Sequence, residues 1–284
     1  MGFGQSVSDT ASACSDRVSA KMAARPSPPE PMRIVSWNCN GALRRKTDPL
    51  DALDADVLVV QECEDPARST SAYREWAGNY LWIGEGEQKN KGLGVFARSG
   101  LGLRALDWHG TYTPAGFGPD DLPWSTDQLR LFLPVRIDER IDLVAVWTKN
   151  WREERYGYIG QVWKFIHLHA RDLAQGPCVI AGDFNSSAIW DRKRRDWDHS
   201  SVVRELDALG LRSLYHEGTG IAPGAEPDPT FYFYRKRDRP FHIDYVFASS
   251  DLRDGASIVI GDIADWLRFS DHMPLVTTLP VVRV

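Results

Sequence analysis

Five short polar stretches contain the side chains of this sequence that are best suited to chemistry. In chain order they are Trp37-Asn38-Cys39-Asn40-Gly41, Gln61-Glu62, Gly182-Asp183-Phe184-Asn185, His242-Ile243-Asp244 and Ser270-Asp271-His272. Carboxylate and amide oxygens bind hard divalent cations, and a histidine beside them can act as an oriented base. This combination of groups is typical of sites that carry out phosphoryl chemistry.

Each stretch lies within or just after an apolar, β-prone run, so a sheet is expected to position it. Strands are predicted at residues 33–37, 56–61, 92–98, 131–137, 141–147, 178–182, 230–234, 241–248 and 274–279, and helices at 66–77, 158–175 and 200–209. The strand at 56–61 is uniformly apolar and should be central. Many strands with few long helices predict an α/β fold in which two sheets pack as a sandwich with helices outside.

Length and composition set broad limits on the class of protein. The chain has 284 residues, is 43% hydrophobic and has a formal net charge of -5. It can bury a large core, and its charge argues against a generic nucleic-acid coating protein, although a local basic groove stays possible. The four cysteines form no Cys-x-x-Cys pair, which favours a reducing, cytoplasmic location. The sequence shows no transmembrane span.

Residues 1–31 differ from the remainder of the chain. They are small and polar and then proline-rich, without a sustained apolar stretch. We predict a disordered tail at 1–31 and one catalytic domain at 32–284.

The first and third motifs each have a structural alternative. Asn38 and Asn40 could simply cap a turn, and Asp183 and Asn185 could form an Asx-turn. In an extended segment, however, Asp183 and Asn185 lie two residues apart and face the same side. Glu62 directly follows an apolar strand, where an unpaired charge is costly, so it needs a partner such as a cation.

The last two motifs are predicted to meet. Alternation along a strand at 241–248 would place His242 and Asp244 on one face. A carboxylate that binds one ring nitrogen fixes the tautomer of a histidine, and Asp244 is the candidate partner of His272. Asp271 and His272 would point in different directions, one toward a metal and the other toward a phosphate.

These five motifs, in this order, resemble the endonuclease/exonuclease/phosphatase superfamily, which includes exonuclease III-like and DNase I-like enzymes. The resemblance runs from about residue 32 to the end of the chain. It implies a DNase I-like sandwich of mostly antiparallel sheets flanked by helices, with a Mg²⁺ or Mn²⁺ site at one rim.

The resemblance also implies a metal environment. Glu62 would be the principal metal carboxylate, and Asp271 would complete the environment of the ion. Asn38 and Asn40 would hold metal or phosphate beside Glu62.

For the catalytic residues, the resemblance implies that Asp183 orients or deprotonates the attacking water. Asn185 would position this water or the phosphate. His272 would bond a non-bridging phosphate oxygen while Asp244 holds the ring.

The strand at 141–147 departs from the family pattern. Exonuclease III-like members usually carry a tyrosine at its end, where this chain has Trp147. An indole has no titratable proton near neutrality and cannot serve as the leaving-group acid. Lys149, His242 or metal-bound water could substitute. The absence of the tyrosine weakens the assignment to the abasic-site branch.

Two basic runs, residues 192–195 and 235–239, flank the proposed catalytic loops. They are either solvated surface or part of a phosphate-binding groove, in which Trp190, Trp197, Tyr232 and Tyr234 could provide stacking surfaces unless they belong to the core. The candidate substrate-binding residues are Arg192, Arg194, Arg195, Arg235, Arg237 and His242.

The sequence therefore predicts a Mg²⁺- or Mn²⁺-dependent phosphodiesterase that acts on nucleic acid, without a membrane or an obligate protein partner. A phosphatase or a lipid phosphodiesterase of the same fold is the main alternative. A non-catalytic binding protein on a degenerate scaffold is the alternative from a different class.

Overall fold

The structure is a computed structural model that describes residues 1–2, 31–84, 91–98, 100–116, 122–150, 156–192 and 197–280. The strands are β1 (Met32–Asn38), β2 (Val57–Cys63), β3 (Asn79–Gly84), β4 (Gly92–Ala97), β5 (Leu103–Ala105), β6 (Thr111–Tyr112), β7 (Trp124–Ser125), β8 (Phe132–Ile137), β9 (Ile141–Trp147), β10 (Cys178–Asp183), β11 (Arg212–Ser213), β12 (Phe231–Tyr232), β13 (Pro240–Phe241), β14 (Asp244–Ala248), β15 (Ser257–Ile260) and β16 (Leu275–Leu279). The α-helices are α1 (Thr47–Asp51), α2 (Ser71–Ala77), α3 (Ile159–Leu173), α4 (His199–Ala208), α5 (Leu214–Thr219), α6 (Ser250–Arg253) and α7 (Ile263–Trp266).

The longer strands form two six-stranded sheets. The first has the order β15-β16-β1-β2-β4-β3 and the second the order β11-β14-β10-β9-β8-β5. Within each sheet one central pair is parallel, β1 with β2 and β9 with β10, and the other pairings are antiparallel. The predicted two-sheet α/β sandwich with mostly antiparallel sheets is confirmed.

The apolar character of the central strands follows from burial on both faces. In β2, Val57 and Val59 belong to the core between the sheets, whereas Leu58 and Val60 pack on the outer side with residues of α1 and α2. The second sheet repeats this pattern, since its outer face packs against α3 and α4. Side chains alternate between faces along a strand, so a strand covered on both sides needs a continuous apolar run.

The three predicted helices are present with small differences at their ends. The segment predicted at 66–77 contains a single 3₁₀ turn, Pro66–Arg68, followed by α2. Thr70 is the N-cap of α2, because its side-chain oxygen accepts a hydrogen bond from the backbone N–H of Tyr73. Asp198 caps α4 in the same way through the N–H of Ser201.

Two strand predictions near the candidate site are wrong. Residues 230–234 form only the short β12 followed by a 3₁₀ turn, Phe233–Arg235. The strand predicted at 241–248 is interrupted, because β13 ends at Phe241 and β14 begins at Asp244. The hydroxyl of Thr230 accepts hydrogen bonds from the backbone N–H groups of Ile243 and Asp244 at this interruption.

The parallel pairs bring the chemical motifs to one rim. Asn38 ends β1 and Asp183 ends β10, and Asp183 stands opposite Asp244 in the register of β10 and β14. The first sheet contacts the second through β1 and β10. Among the residues that the structure describes, no helix has the length and apolar character needed to cross a membrane. The predicted tail at 1–31 lies almost entirely outside the described residues.

Candidate active site

Asp183 reaches the rim through a glycine that the neighbouring strand requires. A Cβ atom on Gly182 would lie 1.9 Å from the carbonyl oxygen of Val146 in the parallel strand β9. Any larger residue would push β10 away from β9. The backbone carbonyl of Asp183 then accepts a hydrogen bond from the N–H of Thr148 at 3.0 Å, which fixes the end of the strand.

The Asp183 carboxylate is held by three hydrogen bonds. Its Oδ1 accepts from the backbone N–H of Asn185 at 2.9 Å, and its Oδ2 accepts from the side-chain amides of Asn38 and Asn185, each at 2.9 Å. Asn185 also donates to the carbonyl of Thr148 at 3.0 Å and has a positive φ of 46°. The Asx-turn and the site-forming arrangement predicted from the sequence therefore occur together. Asp183 is buried and has a fixed orientation.

His272 lies between two carboxylates. Its Nδ1 is 2.9 Å and 3.1 Å from the two oxygens of Asp244, and its Nε2 is 3.9 Å from Oδ2 of Asp183. Because an ionised carboxylate only accepts hydrogen bonds, Nδ1 carries the proton that is donated to Asp244. The predicted pairing of Asp244 with His272 is present in the geometry, and Nε2 is directed toward Asp183.

His272 and Asp183 both have raised pKa values. Burial alone would lower the pKa of His272, but the negative charges of Asp244 and Asp183 outweigh it and raise this pKa. Burial raises the pKa of Asp183, and the charge of Asp244 adds to this effect. These shifts favour a proton held among the three side chains, so His272 can act as a cationic hydrogen-bond donor.

The segment that carries His272 is attached to β1. The indole N–H of Trp37 donates to the carbonyl of His272 at 2.9 Å. The hydroxyl of Ser270 donates to the carbonyl of Asn38 at 2.7 Å and accepts from the N–H of His272 at 3.0 Å. Residues more than 230 positions apart in the chain are thus fixed to one another.

Glu62 forms the more open side of the site. A bulge in β2 between Gln61 and Cys63 gives Glu62 a positive φ of 62°. One of its carboxylate oxygens contacts the ammonium of Lys91, and the other is 3.5 Å from the amide nitrogen of Asn38. Because Asn38 also donates to Asp183, it connects the two sides.

Asn40 and Asp271 lie next to each other on this side. The Asn40 side-chain amide donates to Asp271 at 2.9 Å, and its backbone N–H donates to the side-chain oxygen of Asn38 at 3.0 Å. The amide group of Asn38 therefore directs its NH₂ toward the carboxylates. This orientation suits contact with a phosphate oxygen better than direct ligation of a metal.

The residues present fit a hard divalent cation beside Glu62. The carboxylate of Glu62 is partly exposed, and a positively charged ammonium already contacts it. Among the described residues, Asp183, Asp244 and His272 also offer ligand atoms within 4.8 Å of one another. Asp244 is engaged by His272, however, so Glu62 is the more accessible ligand.

The predicted substrate-binding residues have different fates. Arg192 and Arg237 are exposed, whereas Arg194 and Arg195 lie outside the described residues. The guanidinium of Arg235 donates to the carbonyls of Leu267, Arg268 and Phe269 at distances of 3.0 to 3.2 Å. Arg235 therefore connects two surface segments rather than standing free for substrate.

His242 does not share the surroundings of Asp244, contrary to the prediction from alternation. Its ring is 5% exposed and packs against Tyr215 and Tyr245. Nδ1 donates to the carbonyl of Asp228 at 2.8 Å, and burial lowers the pKa of the ring. Alternation fails here because the strand is interrupted between β13 and β14. The contacts of the His242 ring do not support a substrate-binding role.

Trp147 is a core residue at the end of β9. Its side chain is buried between the sheets, and the ammonium of Lys149 lies 3.6 Å from the centre of its ring. Its packing gives Trp147 a structural role.

Several contacts of the site were missed from the sequence. Phe231 packs on His272, with ring centres 4.5 Å apart, and Trp190 packs on Phe241 at 5.2 Å. Tyr232, a candidate stacking residue, is instead buried in the core. Lys91 was also missed. Its position directly before the first glycine of an apolar strand is a weak signal for a role in the site.

The comparisons with known proteins identify the family and the fold of the chain. A sequence model of the Endonuclease/Exonuclease/phosphatase family matches residues 35–272. The chain therefore belongs to this family, as the five motifs predicted. A search of curated proteins finds no match.

Solved structures with the same fold include three enzymes of low sequence identity. A 3'-5' exonuclease (NExo) from Neisseria meningitidis is 18% identical over 87% of this chain and 98% of its own, with a TM-score of 0.59. An AP endonuclease from Archaeoglobus fulgidus is 18% identical over 89% of this chain and 100% of its own, with a TM-score of 0.59. A truncated TDP2 from Caenorhabditis elegans is 13% identical over 88% of this chain and 97% of its own, with a TM-score of 0.57. At these identities the likeness establishes the fold.

Proposed function

We propose that the protein is a phosphodiesterase that requires Mg²⁺ or Mn²⁺ and hydrolyses nucleic acid. The observation that carries this proposal is the continuous contact path from Glu62 through Asn38 and Asp183 to His272. It combines an accessible carboxylate, amide donors and an oriented imidazole at one rim of the sandwich. The names of the similar structures, an exonuclease and an AP endonuclease among them, agree with a nuclease.

Each side chain has a role in this proposal that follows from its contacts. Asp183 orients the attacking water and accepts its proton, because its raised pKa makes it a better base than an ordinary aspartate. His272 donates from Nε2 to a non-bridging phosphate oxygen, and Asp244 positions the ring. The 3.9 Å between Nε2 and Asp183 is longer than a hydrogen bond, so both groups can address a phosphate and a water between them.

The amide groups complete the binding of the phosphate. Asn38 directs its NH₂ toward the centre of the site, and Asn185 keeps Asp183 in place. A divalent cation held by Glu62, with Asp271 nearby, would neutralise charge on the phosphate and lower the pKa of a bound water. Preorganised donors of this kind contribute roughly 3 to 4 kcal/mol each to the stability of a transition state.

An aromatic surface next to His272 favours a nucleotide over a more polar phosphoester. Phe231 contacts His272, and Phe241 packs with Phe231 and with the partly exposed Trp190. Bases and sugars bury apolar surface on such a wall, whereas a polyhydroxylated inositol ring loses hydration there. The exposed Arg192 and Arg237 are available for the flanking phosphates.

A panel of substrates tests this proposal. Supercoiled plasmid, single-stranded DNA, RNA, an abasic duplex, an inositol polyphosphate and sphingomyelin are each incubated with Mg²⁺, with Mn²⁺ and with a chelator. We expect metal-dependent nicking of plasmid or cleavage of a single strand, and loss of cleavage in Glu62→Gln and His272→Ala proteins that retain their circular dichroism. Release of phosphate from the monoester alone would contradict the proposal.

The non-catalytic scaffold gives a different outcome in the same panel. Wild-type protein that cleaves no substrate yet binds a nucleic acid tightly, with or without the cation, would support it. A cytoplasmic location remains a prediction based on the pattern of cysteines.

A further inference from the structure

Lys91 is a basic residue in direct contact with the proposed cation ligand. Its ammonium forms an ion pair with Oε2 of Glu62. The Lys91 side chain is 47% exposed and the Glu62 side chain 21% exposed, so the pair is half in solvent. The carboxylate that would hold the cation thus already has a positively charged partner.

The bulge in β2 is the first reason for this contact. Gln61 pairs with Leu93 and Cys63 with Gly92, which leaves Glu62 as the extra residue of the bulge. A bulge turns the side chain of its extra residue out of the regular alternation. Lys91 directly precedes Gly92, so the same irregularity brings Glu62 and Lys91 together.

Gly41 is the second reason for this contact. It has a positive φ of 77°, and a Cβ atom there would lie 3.3 Å from Cε of Lys91. The absence of a side chain at Gly41 therefore leaves room for the aliphatic part of Lys91 beside Glu62. Gly41 also belongs to the loop that carries Asn40, so the Lys91 side chain packs against a loop of the site.

Charge decides what this arrangement does when a cation arrives. The hydrogen bond from Lys91 occupies one of the lone pairs that Oε2 would offer a metal, and an ammonium a few ångströms from a divalent ion is repelled by it. In an ordinary exposed ion pair, such as Arg104 with Glu139, no such competition arises because the carboxylate is not a proposed metal ligand. At Glu62 the ammonium and a divalent cation would repel each other.

We propose that Lys91 and the divalent cation compete for the carboxylate of Glu62, so that Lys91 sets the affinity of the site for the ion. Lys91 holds Glu62 in place before the ion binds and is displaced when the ion binds. This inference rests on the proposed function and adds a residue that regulates the same site.

The test measures binding of Mn²⁺ by the full chain, without substrate, from the electron paramagnetic resonance signal of the free ion. The proteins are wild type, Lys91→Met and Lys91→Arg. Arg104→Met is the matched control, because it also removes one positive charge from an ion pair, at the far end of the second sheet. A Glu62→Gln protein and its double variant with Lys91→Met complete the cycle.

We expect Lys91→Met to bind Mn²⁺ about fivefold more tightly, which corresponds to the loss of a half-exposed ion pair. Lys91→Arg and Arg104→Met should bind like wild type. In the Glu62→Gln background, Lys91→Met should have no effect, because the carboxylate for which it competes is absent.

Wild-type or weaker affinity in Lys91→Met would overturn the competition while leaving the proposed function in place. The same effect of Lys91→Met with and without the Glu62 carboxylate would also overturn it. If wild type and all variants bind no Mn²⁺, the proposed metal-dependent function fails, and this inference fails with it.

Discussion

The two sides of the site differ in how firmly their side chains are held. On one side Asp183, Asp244 and His272 are all buried, Asp244 is hydrogen-bonded to His272, and Asp183 is held by Asn38 and Asn185. On the other side Glu62 is partly exposed, belongs to a bulge and pairs with a lysine that is half in solvent. We call these the closed side and the open side.

This contrast indicates a division of work. The closed side fixes the direction of a base and a donor, which is what electrostatic preorganisation requires. The open side is partly in solvent and is connected to Asp183 through Asn38, so it can exchange one positive partner for another without disturbing the core. Substitutions on the closed side should therefore affect chemistry and folding, and those on the open side should affect cation binding.

The largest effect is expected for Asp183→Asn on the closed side. The amide keeps the shape of the side chain but removes the base and the negative charge beside His272. We expect kcat to fall about 10²- to 10³-fold or more, with a lower melting temperature because an amide NH₂ cannot accept the hydrogen bonds from Asn38 and Asn185. Cleavage of plasmid by the purified variant measures the rate. Near wild-type activity would show that the closed side does not carry the chemistry.

Two glycines compare the sides directly through stability. Gly182→Ala would place a Cβ 1.9 Å from the carbonyl oxygen of Val146, whereas Gly41→Ala would place one 3.3 Å from a flexible lysine stem. We expect Gly182→Ala to lower the free energy of unfolding by more than about 3 kcal/mol and Gly41→Ala by about 1 kcal/mol. Urea denaturation followed by fluorescence measures both. Equal losses would remove the distinction between a rigid and an adaptable side.

The Asp244→Asn variant tests the link between position and charge on the closed side. The carboxylate of Asp244 raises the pKa of His272, so its removal should lower that pKa. His272 would then lose its proton at a lower pH, and the alkaline limb of the rate profile should move to lower pH. We expect kcat/KM to fall about 10- to 100-fold at pH 7. A profile of kcat/KM against pH measures the shift, and an unmoved alkaline limb would contradict it.

The smallest effect concerns acid stability behind the closed side. His199 is buried, and burial lowers its pKa to about 4 despite the opposing charges of Asp191 and Glu226. In the unfolded chain His199 binds a proton near pH 6.5, whereas in the folded protein it does so only near pH 4. The free energy of unfolding should therefore decrease as the pH falls from 6.5 to about 4. The slope is at most about 1.4 kcal/mol per pH unit.

A His199→Gln protein should lose less stability over this pH range than wild type. Urea midpoints at pH 7 and pH 5 measure the difference. His242 also has a pKa lowered by burial, so the variant should flatten the dependence without removing it. Identical slopes would mean that His199 is not the group that titrates.

Much of the closed side could be predicted because it obeys local rules. Asp183 follows an apolar strand, and the Asp183–Asn185 spacing gives a same-side pair in any extended segment. The pairing of Asp244 with His272 followed from chemistry alone, since a buried carboxylate needs a partner and a histidine needs an orienting group. The sheet order was not needed for any of these predictions.

The errors arose where backbone irregularity replaced a regular period. Alternation failed at His242 because Thr230, distant in sequence, bonds the backbone between β13 and β14. The contact of Lys91 with Glu62 depends on a bulge, which no periodic pattern reveals. The contacts of Arg235 with the backbone carbonyls of residues 267–269 were likewise not visible in any periodic pattern, and its role in substrate binding stays a prediction.

The position of β1 between β2 and β16 has a consequence for biosynthesis. The strand that carries Asn38 cannot complete its hydrogen bonds until the segment around Leu275 leaves the ribosome. The indole of Trp37 likewise waits for the carbonyl of His272. A nascent polypeptide should thus remain catalytically silent until β16 has been synthesised, and the step that completes the site should be slow because its contacts join residues more than 230 positions apart.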